Sequence, residues 1–143
     1  MQNNPLKKAI TDERQHIINT LDLLEKEILS LEIIRKSDCA AASTFLQNIY
    51  MGMENIIRMI IESKGIRIPK TGSYHKDIIL KAVETGIISE QLYAAIYEHL
   101  QFRHRHMHGY GYMLNWEKVK PLADNSKDTV DKFFTELIDK GYL

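Results

Sequence analysis

Residues 37–65 read SDCAAASTFLQNIYMGMENIIRMIIESKG, and this stretch decides the fold class. Phe45, Leu46, Ile49, Met53, Ile56, Ile57, Ile60 and Ile61 recur at spacings of three and four, the repeat that lines up one face of an α-helix. Ser37 and Asp38 are capping candidates at its start, and the helix is expected to run to about Lys64. Gly65 fits its stop, because a left-handed residue there costs glycine little.

Upstream, Asn4 before Pro5 predicts an N-cap with proline at the first helical position. Leu6, Ile10, Ile17, Leu21, Leu24, Ile28 and Leu31 then form one apolar stripe, expected to belong to a single long amphipathic helix. Downstream, GIRIPKTGSY predicts an ordered loop. Ser73 can cap a shorter helix through His75, Ile78, Ile79, Ala82 and Val83, ending at Gly86. Ser89 can cap a fourth, through Leu92, Ala95, Ile96, His99, Leu100 and Phe102. Asn115 can cap a fifth, from Trp116 to about Lys140, in which Pro121 should either kink the helix or delay its regular start. Few residues alternate with period two, and neither an Asn-Gly turn nor an internal repeat occurs. The expectation is an all-α bundle of about five helices, a single domain over residues 1–143.

Composition narrows the function classes. Nineteen Lys and Arg balance nineteen Asp and Glu, which argues against broad nonspecific coating of nucleic acid but permits a local basic groove. The lone cysteine, Cys39, cannot form an internal disulfide and has no basic neighbour to activate it. It reads as a small buried residue of a protein in a reducing, cytoplasmic setting. No apolar run approaches membrane-spanning length, and the N-terminal residues lack the apolar core of a signal peptide.

The chemistry concentrates in residues 101–112, QFRHRHMHGYGY. His104 and His108, four apart, share a helix face as zinc-binding pairs do, whereas His106 points roughly the other way. No carboxylate joins them, and Arg103 and Arg105 would repel a dication, so no metal and no cofactor is expected. Phosphodiester chemistry fits better. Cleaving RNA without a metal takes a proton acceptor for the 2′-hydroxyl, a donor for the leaving 5′-oxygen and a cation for the phosphorus oxygens. Histidine titrates near neutrality, and the planar guanidinium of arginine holds two oxygens at once. Arg103 and His108 lie about 140° apart around a helix of about 3.6 residues per turn, a gap a long arginine can partly close. Spacing alone favours the plainer reading of a solvated, cationic helix end.

The run Arg103-His104-Arg105-His106-Met107-His108-Gly109-Tyr110 resembles the R-x4-6-H motif of the HEPN superfamily, in the R-x4-H-x-Y form of its HepT-like toxins. The strings FRHRHMHGYGYMLNWEKVKPL, YMGMENIIRMI and SYHKDIIL are similar to that family too, so the resemblance spans most of the chain. It implies a helical HEPN bundle that forms a homodimer and joins two motifs in one cleft. It implies a metal-independent endoribonuclease toxin paired with a nucleotidyltransferase antitoxin. Arg103 and His108 take the catalytic positions, His104 the polar supporting position, where Asn is frequent, and Tyr110 the position that the antitoxin modifies with AMP. A different class of function is a noncatalytic helical subunit that binds beside a nucleotidyltransferase and its substrate. Trp116, Phe133 and Phe134 read as packing residues, and His75, Tyr74, Tyr93 and Tyr97 as packing or polar caps.

Overall fold

The computed structural model describes residues 4–109 and 114–143, and of His108 the backbone alone. Helix α1 spans Pro5–Leu23 and continues into a π-helical turn, Leu24–Leu29; α2 spans Lys36–Ser63, α3 Tyr74–Glu84, α4 Glu90–His108 and α5 Trp116–Asp139. Among the described residues there is no strand. The fold is the all-α, five-helix bundle that the sequence pattern predicts.

Local chemistry sets most of the helix ends. Asn4 Oδ1 accepts the Lys7 N–H at 3.1 Å, with Pro5 in the first turn. Asn115 Oδ1 accepts from Glu117 at 2.9 Å, and Ser89 Oγ accepts from Leu92 at 3.1 Å. Each satisfies an N–H that the helix itself cannot pair. Gly65 closes α2 at φ 76°, in the left-handed region where a side chain would be strained.

Two boundaries differ from expectation. The stripe of the first helix does not run on to Leu31: the wider π-helical turn keeps Leu24 and Ile28 buried and leaves Leu31 outside, 41% exposed. Helix α2 begins at Lys36, before Ser37. Its cap is made from within the first turn, where Asp38 Oδ2 accepts the Arg35 N–H at 3.0 Å and its guanidinium at 3.2 Å. That backbone hydrogen bond, and then the guanidinium, hold the Asp38 carboxyl below the usual carboxylate range. Helix α5 starts at Trp116 after its Asn115 cap, as expected, and Pro121 does not delay that start; its missing N–H would have met the Glu117 carbonyl, so one bond near the helix start is given up.

Helix α2 is the centre of the bundle and packs against the other four helices. Leu46, Ile49, Met53, Ile56, Ile57 and Ile60 are fully buried in a single cluster to which every helix contributes. Gly52 sits where α1 crosses, and a Cβ built there would lie 2.5 Å from Cγ1 of Ile17. Glycine, a poor residue for a helix interior, is here the one that lets two helices approach. Phe133 and Phe134 pack edge to face at 5.2 Å between centroids, and the guanidinium of Arg14 on α1 lies 4.9 Å above the Phe134 ring. Glu136 of α5 accepts from both the N–H and the hydroxyl of Ser89, at 2.6 and 2.7 Å, and so fixes the start of α4 against α5. No described helix is long and apolar enough to cross a membrane.

Candidate nuclease site

Helix α4 carries the R-x4-H run in its last two turns and ends at His108, with Gly109 as an extended C-cap. The upper part of the helix is fastened by its buried face: Leu92, Ile96, His99 and Phe102 are all in the core. That anchoring fixes the direction of the four side chains that follow. Arg103 is half-buried, whereas His104 and Arg105 are exposed. His106 turns to the other side and stacks on Phe102 at 6.1 Å between centroids, as the periodicity predicts. The His108 side chain and Tyr110 lie outside the described residues.

Arg103, His104 and Arg105 open onto one cavity of about 490 Å³, within the roughly 300–1,000 Å³ of small-molecule sites. The facing wall comes from the start of α3 and the loop before it, including Gly72, His75 and Lys76. Tyr97, six residues before Arg103 on α4, forms part of the wall. Its ring stacks on Tyr93 at 5.8 Å, and the Lys76 ammonium lies 5.6 Å from its centroid. Three permanent cations and two imidazoles thus border one cavity of a chain with no net charge. Such focusing of positive charge is what a phosphate-bearing ligand requires.

Behind the cavity lies a buried polar layer. Glu54 of α2 is 7% exposed, and its Oε1 meets Nδ1 of His75 at 2.5 Å. A carboxylate can only accept, so Nδ1 of the ring is the donor, and Nε2 takes no part in this contact. Tyr50, one turn before Glu54, is fully buried, and its hydroxyl has no hydrogen-bond partner among the described residues. Burial pushes the Tyr50 hydroxyl well above its ordinary range; the charge of Glu54 adds to the rise and that of Arg103 opposes it. The same hydroxyl therefore feels both charges. The Arg103 Nε is buried, again without a partner among the described residues. A desolvated guanidinium N–H with nothing to bond is costly unless a ligand oxygen completes it.

The sequence reading had His75 as packing or a polar cap; the structure places it instead on the cavity wall, paired with Glu54. It missed Glu54 and Tyr50 as site residues. A signal was there: Glu54 lies four residues after Tyr50 and three before Ile57, a charge on an otherwise apolar stripe, and buried charges are paired. Cys39, 3% exposed, is a packing residue, and burial pushes its thiol up, away from nucleophilic character. Trp116, Phe133 and Phe134 belong to the core or pack against it. No group of three His, Cys, Asp or Glu side chains that could hold a metal ion occurs among the described residues.

A family model described as HepT-like protein matches residues 41–140, from the first turns of α2 to the end of α5. The chain belongs to the HepT-like family. This is a toxin family of the HEPN superfamily, and the bundle described above is its all-α fold. The matched span of this HepT-like chain holds Glu54, His75, the whole R-x4-H run and Tyr110, and it leaves α1 outside. Searches among curated proteins and among solved structures gave no match.

Proposed function

We propose that this HepT-like protein, a single domain over residues 1–143, is a metal-independent endoribonuclease toxin of the cytoplasm, held in check by a nucleotidyltransferase antitoxin. The observation that carries the reading is the half-buried Arg103, its Nε without a partner among the described residues, at the mouth of a cavity ringed by further cations and imidazoles. Arg103 binds the nonbridging oxygens of the scissile phosphate, and the negative charge that grows on them is stabilised in a partly dry setting. His108 carries a proton in the exchange between the 2′-hydroxyl and the leaving 5′-oxygen, and His104 supports the phosphate side. A homodimer with two-fold symmetry brings a second R-x4-H motif alongside the first and doubles the local positive charge. Tyr110, two residues past His108, is the acceptor through which the antitoxin adds AMP.

The test is cleavage of RNA in the presence of EDTA by the purified chain, with its products separated. The expected products end in a 2′,3′-cyclic phosphate and a 5′-hydroxyl, and His108→Ala should lose about 10²–10⁴-fold in rate, the usual contribution of a general acid or base. Cleavage that stops with chelator, or survives both Arg103→Ala and His108→Ala, would overturn the mechanism. Light scattering should give the mass of a dimer at micromolar concentration; a monomer would remove the second motif from the reaction.

A further inference from the structure

RNA cleavage needs two proton-transfer groups, and the R-x4-H run supplies one histidine at its motif position per chain. The cavity contains another imidazole that the motif does not include. His75 comes from α3, is held by Glu54 of α2, and faces Arg103 and His104 of α4 across the same cavity. Its two halves differ in setting. The Glu54 side chain is 9% exposed, while the His75 side chain is 42% exposed. A purely structural hydrogen bond is closed at both ends. This one is closed at the carboxylate and open at the imidazole, towards the side where Lys76, Arg103 and Arg105 would gather a phosphate.

We propose that His75, oriented by Glu54, is the proton acceptor for the ribose 2′-hydroxyl in the phosphodiester cleavage assigned above, and that it serves the motif of its own chain. The inference rests on that reading. With Nδ1 donating to Glu54, the His75 ring has only Nε2 left to take a proton, and the carboxylate offsets the positive charge that the ring then acquires. Nε2 takes the 2′-hydroxyl proton as O2′ forms its bond to the adjacent phosphorus. The P–O5′ bond breaks with its electron pair on O5′, which receives a proton from His108. Arg103 holds the nonbridging oxygens throughout. The products are a 2′,3′-cyclic phosphate and a 5′-hydroxyl, and no electrons are exchanged with any other group. Tyr97, stacked on Tyr93 at the cavity wall, presents a ring on which a base of the same strand can lie.

Three variants of the full chain test this on one RNA oligonucleotide: His75→Gln, His75→Ala and Arg103→Ala. Glutamine keeps an N–H donor for Glu54, so a folding defect and a lost base are separable by circular dichroism and thermal melting. The expected result is a fall in kcat of about 10²–10⁴-fold in both His75 variants, with KM unchanged. Binding of an oligonucleotide bearing 2′-deoxyribose at the cleavage position should also be unchanged. Free imidazole should restore part of the His75→Ala rate, because the site opens to solvent, and should leave Arg103→Ala unrestored. Cleavage by either His75 variant within about threefold of wild type overturns this inference alone and leaves the motif mechanism standing. A loss of kcat that imidazole does not relieve also overturns it, because His75 would then act through packing. A wild-type chain that cuts no RNA overturns both readings together.

Discussion

His99 can be titrated into an unfolding reagent. It lies on the buried face of α4, 1% exposed, and neither ring nitrogen has a hydrogen-bond partner among the described residues. Burial alone lowers its pKa from the ordinary 6.5 to about 4. The unfolded chain therefore takes up a proton that the folded chain resists, and acid favours unfolding through this one residue. Stability should be full above about pH 6.5, fall as pH drops through the window, and level off below about pH 4. At about 1.4 kcal/mol per pH unit the whole effect lies between about 3 and 4 kcal/mol, and between about pH 8 and pH 5 it amounts to about 2 kcal/mol. His99→Leu replaces the imidazole with a side chain of comparable bulk and removes both orphaned nitrogens. The variant should be at least as stable as wild type near pH 8, because unsatisfied buried polar groups cost about 1–3 kcal/mol each. Its advantage should widen by about 2 kcal/mol at pH 5. Urea midpoints measured at several pH values give the comparison directly, since other titrating groups are common to both proteins. Parallel stability curves for the two proteins would refute the reasoning, for they would mean that His99 titrates alike in both states.

Gly52→Ala should destabilise the fold by about 1–3 kcal/mol in chemical denaturation despite the better helix propensity of alanine, because the added Cβ meets the buried Ile17. A stabilised variant would show that α1 and α2 can separate at no cost. Tyr110→Phe keeps the ring and removes the acceptor oxygen. Co-expressed with a cognate nucleotidyltransferase, wild type should gain whole AMP units in intact-mass measurement, whereas Tyr110→Phe should gain none and stay toxic. Each AMP would set a negative phosphodiester against the cationic end of α4. A mass increase in the variant would move the modification elsewhere.

The sequence by itself determined what depends on near neighbours along the chain. Asn4, Ser89 and Asn115 cap their helices, because a side chain two or three residues from a free N–H can reach it whatever the rest of the protein does. The stripe of Ile and Leu on α2 had to be buried, which made that helix the centre of an all-α bundle. The R-x4-H run was legible because both of its residues sit on one helix, and so was the opposed direction of His106. Tertiary structure decided what depends on contacts between helices. Nothing local shows that the first helix widens into a π-helical turn before Leu31, since that turn keeps Leu24 and Ile28 in contact with the core. Glu54 and His75 are 21 residues apart and meet only because α3 packs back onto α2. The orphaned Nε of Arg103 and the solvent-free ring of His99 likewise arise where α4 packs against its neighbours. Burial changes the cost of a charge and the value of a partner, and burial is a property of the packed bundle.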